Sequence, residues 1–167
     1  MKLKFCILLL ISLNTAVVSG QKKTAHHSPD LSYIVDQYAH EIEAEVIAWR
    51  RHLHQYPELS NREFNTMKYI AEQLSSIGIT YETGMAHTGV VAVLNTGKPG
   101  PTIGLRADID GLPVKERVNL PFTSKEETEY LGQKVGVMHA CGHDAHVAIM
   151  LGTIKVLNKI KDNLKGK

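Results

Sequence analysis

The 167-residue chain lacks two features that would point to a polyanion or a membrane as its partner. It has no charge excess of one sign, because 19 Lys and Arg stand against 17 Asp and Glu, and two of the lysines fall within the first four residues. Loss of those two lysines lowers the formal net charge from +2 to 0. Beyond residue 20, no apolar run approaches the roughly 20 residues of a spanning helix. The composition therefore gives no electrostatic reason to expect nucleic acid or anionic lipid as a partner.

The first twenty residues, MKLKFCILLLISLNTAVVSG, have the layout of a signal peptide. Two lysines precede an apolar run from Phe5 to Leu13, and small residues close the segment. This predicts cleavage before Gln21 and export, either to a periplasm or to the medium. A membrane anchor is the alternative, but polar residues interrupt the run and it is too short to span a bilayer. Residues 21–30 follow as a polar leader.

Cysteine is also scarce, since the chain has only two. Cys6 would leave with the signal peptide, so Cys141 would have no partner for an internal disulfide. In an oxidising compartment a lone cysteine suggests an intermolecular bridge, a reactive thiol or a metal ligand. A buried and inert cysteine is the ordinary alternative.

Apolar residues at three- and four-residue steps predict two helices in the first half of the chain. The first begins after Ser28 and ends near Tyr56, because the next residue is proline. The second follows a capping box formed by Ser60 and Glu63, in which each side chain satisfies a backbone N–H. Gly78 is suited to end it.

A change to short apolar runs predicts strands in the middle of the chain. Three segments qualify, namely residues 79–82, 89–95 and 102–108. Residues 109–137 are expected to be irregular, with at most one weak strand. A last helix is predicted for residues 145–164. This order predicts an α/β fold with helices packed on a mixed sheet.

The first polar cluster, LRADIDGLP, lies where an apolar strand gives way to a Gly-Pro loop. The carboxyl ends of strands in α/β sheets are where ligands usually bind. Asp108 and Asp110 would point the same way if the strand continues through them. A plain turn, in which Asp and Gly are common, is the alternative.

The second cluster, MHACGHDAH, concentrates thiol and imidazole groups before the last helix. Cys141 and His143 can both turn toward one ion because glycine between them permits a sharp bend. Thiolate with imidazole suits zinc, and also manganese, cobalt or nickel less selectively. The alternatives are helix capping by Asp144 and core packing by His139 and His146, with Asp108, His139 and His146 as candidates for outer-shell or substrate-contacting roles.

Three segments together, RRHLHQYPELSNREFNT, GLRADIDGLPVKE and MHACGHDAHVAIMLG, resemble the amidohydrolase branch of metallopeptidase family twenty. Aminoacylases, hippurate hydrolases and auxin-conjugate hydrolases belong to that branch. The resemblance covers about residues 40–160. It implies the N-terminal part of a zinc-peptidase-like catalytic domain and hydrolysis of amide bonds in N-acyl amino acids or similar small amides.

The resemblance also assigns roles to individual residues. Cys141 and His143 match metal ligands of the family, and Asp110 matches a catalytic aspartate that orients the site. Asp108 stands where related peptidases have a histidine ligand. The segment from His54 to Glu58 is expected to shape the site entrance or a helix junction.

The same resemblance implies two divalent metal ions (zinc, manganese, cobalt or nickel), a small-molecule substrate and a homodimer for the full-length protein. It also implies further ligands, a general-base glutamate and a small lid domain, none of which matches the 167 residues. Residues 31–167 are therefore expected to be a partial catalytic domain that is inactive alone.

Two other classes of function fit parts of the pattern. A cysteine hydrolase would use Cys141 as nucleophile with a nearby histidine as base. A non-catalytic metal-binding module would need only the ligands. A chelator would stop a metal enzyme and spare a thiol enzyme, whereas a module would bind metal and hydrolyse nothing.

Overall fold

The computed structural model describes residues 30–167, and the segment from Leu31 to Lys167 forms one compact unit. The predicted signal peptide and the predicted first-helix start at Ser28 lie outside the described residues. Within the described part, none of the helices combines the length and the apolar character that crossing a membrane requires.

Two long helices, α1 (Ser32–Gln55) and α3 (His143–Lys159), pack against each other and supply most of the core. The end of α1 confirms the boundary predicted near Tyr56. Helix α3 begins two residues before the predicted start, and a short 3₁₀ helix, Lys161–Asn163, follows it. The buried apolar residues in the core are Trp49, Leu53, Ile70, Leu74, Ile79, Val147, Ala148 and Leu151.

Helix α2 (Phe64–Ile77) ends as predicted, because Gly78 adopts a left-handed conformation with φ of 80°. Its predicted start is wrong in detail, since neither Ser60 nor Glu63 makes a side-chain cap on the helix. The Glu63 carboxylate instead accepts a hydrogen bond from Thr88 Oγ1 at 2.7 Å. A buried partner outside the helix has therefore replaced the local bond that the pattern suggested.

The N-terminal turn of α2 is satisfied by Glu58 from the preceding segment. The Asn65 and Thr66 backbone amides donate to the Glu58 carboxylate over 3.2 and 2.7 Å. The side chains of the same two residues donate to it over 2.8 and 2.9 Å. Glu58 thus lies at a helix junction, one of the two places expected for its motif.

Two of the three predicted strands are present as β1 (Tyr81–Met85) and β2 (Gly89–Ala92), which pair antiparallel. The third, residues 102–108, has no paired strand among residues 30–167. A strand needs a neighbour to receive its backbone hydrogen bonds. Here the Ile103 amide donates to the Lys167 carbonyl at 2.8 Å, and the Ile103 side chain is exposed.

A second antiparallel pair lies in the region that was expected to be irregular. Strands β3 (Glu127–Tyr130) and β4 (Gln133–Gly136) form a hairpin with Tyr130 opposite Gln133. Leu131 and Gly132 connect them with positive φ values of 52° and 75°. Positive φ at both turn residues matches the right-handed twist of a hairpin.

Two single-residue bridges position the polar strand end. Leu59 pairs parallel with Gly111, and Leu112 pairs antiparallel with Met138. The first bridge requires glycine, because a Cβ at Gly111 would lie 2.9 Å from the Pro57 Cβ. Together the bridges bring residues 108–110 beside the start of α3.

Candidate metal centre

His143 is oriented by Asp110, 33 positions earlier in the chain. His143 Nδ1 lies 2.9 Å from Asp110 Oδ1 and 3.0 Å from the Asp110 carbonyl oxygen. Both oxygens accept hydrogen bonds, so Nδ1 carries the proton and Nε2 keeps its lone pair. A carboxylate on one ring nitrogen with a metal on the other is the usual arrangement around histidine ligands. The position of Asp110 therefore suits the orienting role that the resemblance implies.

Three potential ligand atoms converge at this point. Asp108 Oδ2 lies 3.9 Å from His143 Nε2 and 3.9 Å from His146 Nδ1, and one ligand atom of each residue lies within 4.8 Å of the others. Two imidazoles and a carboxylate are ligands of zinc, manganese, cobalt and nickel. The three ligand atoms could therefore bind one divalent ion if each moved toward it by less than about 1 Å, which would give ordinary metal–ligand distances.

Asp108 is held as an anion by Arg106, which lies two residues earlier in the chain. Arg106 Nε and Nη2 donate to Asp108 Oδ1 over 3.0 and 2.7 Å. The Arg106 hydrogen bond is the main cause that holds the pKa of the Asp108 carboxyl below its ordinary value, and the Arg106 charge adds to it. Because Oδ1 accepts both bonds, Oδ2 remains available on the side of the histidines.

The start of α3 places the two histidines on one face. Gly142 precedes the helix with φ of 80°. A side chain would be strained in this conformation, so the chain turns sharply there. His143 and His146 are three residues apart and so neighbours on the helix surface. Their ring centroids are 5.2 Å apart. Helical spacing was the available signal for His146, which sequence reasoning left between an outer-shell and a substrate-facing role.

Cys141 is exposed and does not belong to the Asp108–His143–His146 group. The pair predicted from the sequence, Cys141 with His143, is therefore represented in this group by His143 alone. Asp108 supplies the carboxylate of the group, at a position where the resemblance implies a histidine ligand in related peptidases. The assignment of Cys141 as a ligand stays a prediction.

His139 is buried beneath this site. It is 5 % exposed, and neither ring nitrogen makes a hydrogen bond within the described part of the chain. Burial lowers the pKa of His139, and this effect is larger than the opposing effect of the Asp144 carboxylate. His139 is therefore neutral near pH 7, with its outer-shell role still a prediction.

Next to His143 lies a network of polar groups, which we call the His54 network: Arg50, His54, Glu116 and Asp144, with every side chain but that of Arg50 buried. The Asp144 carboxylate, next in sequence to His143, accepts bonds from Arg50 Nε at 3.0 Å and His54 Nδ1 at 2.8 Å. His54 Nε2 lies 3.0 Å from Glu116 Oε1. Asp144 therefore joins α3 to α1, where the sequence had suggested only a cap.

A small cleft opens beside Asp110. Its volume is about 160 Å³, and the residues that line it include Leu112, Arg62 and Tyr130. A cleft beside a metal-binding group is where part of a small substrate could lie.

Comparisons with known proteins identify relatives of this chain. Residues 104–167 match the profile of peptidase family M20/M25/M40. The chain is 48 % identical over 128 residues to thermostable carboxypeptidase 1 of Saccharolobus solfataricus, covering 76 % of this chain and 30 % of that relative. It is 42 % identical over 127 residues to the N-acyl-L-amino acid amidohydrolase of Geobacillus stearothermophilus, covering 76 % of this chain and 32 % of that relative.

A solved structure supports the fold. The Bacillus subtilis YXEP protein, a dinuclear metal-binding peptidase of the M20 family, superposes with a TM-score of 0.66 and 40 % identity over 78 % of this chain and 34 % of that one. This likeness confirms the α/β class and the N-terminal part of a catalytic domain. The chain spans about a third of the length of the proteins it matches.

Proposed function

We propose that this chain carries metal-binding residues of an amidohydrolase for N-acyl amino acids. The premise is that residues 104–167 belong to peptidase family M20/M25/M40. The observation that carries the proposal is the convergence of Asp108, His143 and His146, with Asp110 fixing the ring of His143. The names of the relatives support the substrate class, since one acts on N-acyl-L-amino acids and another is a carboxypeptidase. The dinuclear metal binding of the YXEP protein supports two metal ions as cofactors.

A bound divalent ion would supply Lewis acidity, polarising the amide carbonyl and making a nearby water more acidic. The chain's own part is to bind and orient. Asp110 keeps the His143 proton on Nδ1, and Arg106 keeps Asp108 ionised with one oxygen free. The resemblance assigns proton transfer to a glutamate that has no counterpart in these 167 residues, so we expect the chain alone to bind metal without turnover.

Metal binding by the purified chain is the primary test. We expect zinc or manganese to bind with an affinity measurable by competition with a coloured chelator, and His143→Ala to abolish binding. The variants Cys141→Ser and His146→Ala then compare the thiol with the second imidazole as the partner of His143. Absence of binding by the unaltered chain would contradict the proposal.

Chelator treatment separates the metal enzyme from the cysteine hydrolase. In a longer protein that contains these residues, we expect the chelator to abolish hydrolysis of an N-acetyl amino acid and added metal to restore it. A thiol enzyme would keep its rate in chelator and lose it in Cys141→Ser whether or not metal is added. That result would contradict the metal assignment.

Export and dimer formation are separate parts of the proposal. The composition of the first twenty residues supports export, and N-terminal sequencing of the protein recovered from an expressing cell should begin at Gln21. A sequence beginning at Met1 would contradict cleavage. Light scattering of the full-length protein should give the mass of two chains, and a single-chain mass would contradict the homodimer.

A further inference from the structure

His54 lies between two carboxylates, and this arrangement fixes which of its nitrogens carry protons. Nδ1 is 2.8 Å from Asp144 Oδ2 and Nε2 is 3.0 Å from Glu116 Oε1. Ionised carboxylates only accept hydrogen bonds, so both ring nitrogens must donate. The imidazolium form of His54 satisfies both contacts, whereas either neutral tautomer would set a nitrogen lone pair against a carboxylate oxygen.

The charges around His54 balance when it is an imidazolium. Two cations, Arg50 and His54, face two carboxylates, Asp144 and Glu116. The side chains of both acids are 1–2 % exposed and that of His54 is 8 % exposed. Buried charges are tolerated only when they are paired and hydrogen-bonded. Removing the His54 charge would leave the buried acids with only the partly exposed Arg50 as counter-ion.

The other groups around His54 are consistent with this charge state. Phe122 meets the His54 ring edge-on at a centroid distance of 5.7 Å, and Arg51 lies over the Phe122 ring. The second Glu116 oxygen accepts the Ser124 amide at 2.6 Å, which fixes the loop that carries Glu116. Buried His139, which interacts electrostatically with His54 and Asp144, is neutral as described above.

The network acts on the turn that presents the metal-binding histidines. Asp144 is in the first turn of α3, directly after His143, and the amides of Ala145 and His146 bond to the Gly142 carbonyl in that turn. We propose that the His54 imidazolium is a positioning residue, which holds the start of α3 through Asp144 and so sets His143 and His146 for metal. Its effect on metal affinity rests on the proposed function.

Two substitutions of His54 separate this role from simple packing. An asparagine amide nitrogen reaches about as far as Nδ1 and can still donate to Asp144, whereas a glutamine amide nitrogen reaches about as far as Nε2 and can donate only to Glu116. The matched control is His52→Gln on the same helix, because the His52 ring stacks on Tyr69 at a centroid distance of 3.9 Å, outside the network.

Two measurements are made on each purified 167-residue variant. The first is hydrogen exchange at the Ala145 and His146 amides without metal, and the second is zinc affinity by chelator competition. We expect His54→Gln to speed exchange and to weaken zinc binding about tenfold, the lower end of outer-shell effects. His54→Asn keeps the Asp144 bond but loses the charge, so its effects should be clearly smaller than those of His54→Gln, and the His52 control should match the unaltered chain in both.

Equal effects of the Asn and Gln substitutions, or no effect of Gln on exchange, would overturn the proposal. If the unaltered chain binds no zinc, the proposed function fails while the exchange data still decide the positioning role. Nitrogen-15 NMR of the unaltered chain needs no variant to fold. It should show both His54 nitrogens carrying a proton in the folded chain, and a neutral tautomer would also overturn the proposal.

Discussion

At the scale of single residues, the bond between Asp110 and His143 has the clearest consequence for metal binding. The Asp110 carboxylate keeps the proton on Nδ1 and the ring in place. We expect Asp110→Ala to weaken zinc binding about 10- to 100-fold, as loss of an outer-shell partner usually does. Competition with a chelator measures it.

Asp110→Asn is the matched comparison. An asparagine oxygen can still accept from Nδ1, although without charge, so this variant should lie between Asp110→Ala and the unaltered chain. Equal affinity in all three would show that Asp110 does not orient the ligand.

The buried His139 predicts how stability depends on pH. Its pKa in the folded chain is below the ordinary 6.5 because of burial, so the unfolded chain binds a proton that the folded chain does not. The free energy of unfolding should therefore decline as pH falls from 6.5 toward the folded pKa. Urea unfolding in the presence of a chelator measures this decline.

His139→Phe is expected to remove that part of the pH dependence while it keeps a ring in the buried space. The same slope in the variant and in the unaltered chain would assign the decline to another group.

Sequence reasoning at this scale found His143 and Asp110 but could not pair Asp108 with His146. These residues are far apart in the chain and are brought together only by the tertiary fold, which includes the bridge at Gly111. The His54 network was hidden for the same reason, since its acids come from a loop and from a helix far along the chain.

At the scale of secondary structure elements, the start of α2 gives a direct test. Glu58 accepts hydrogen bonds from two backbone amides there, whereas Ser60, which the sequence pattern favoured, makes no cap. We expect Glu58→Ala to lower the free energy of unfolding by about 0.5–2 kcal/mol, the usual cost of a lost N-terminal cap. Chemical denaturation measures the change.

Ser60→Ala is the control, and its cost should remain within about 0.5 kcal/mol, as is normal for an exposed site without such contacts. A larger loss for Ser60 than for Glu58 would restore the capping box inferred from the sequence.

Helices were predicted better than strands because their apolar period runs over many residues. The ends of α1 and α2 followed from that period, together with Pro57 and Gly78. The β3–β4 hairpin was missed because its strands have four residues each and are mostly polar, so alternation gave no signal. The predicted strand at residues 102–108 has the right composition, but composition does not supply a neighbouring strand.

At the scale of the whole molecule, stability depends on the contact between α1 and α3. Leu151 is 2 % exposed and lies in the core between these helices. Leu151→Ala should cost about 2–5 kcal/mol through lost burial and the cavity that it leaves. That is a large share of the roughly 5–15 kcal/mol that a domain usually has.

The same truncation at Ile149, two residues away in α3 and 62 % exposed, is the control and should change stability little. Urea unfolding of both variants provides the comparison. Similar losses at the two sites would contradict the assignment of the core.

Gly111 has no functional group, yet the bridge with Leu59 leaves no space for even a methyl group at that position. Any replacement must push apart the backbone that carries Asp110, the neighbour that steadies His143. A random-mutagenesis screen for loss of metal uptake should consequently recover changes at Gly111 among its strongest hits. Such variants would be mistaken for variants that have lost a metal ligand, although what they change is the position of the backbone that carries Asp110.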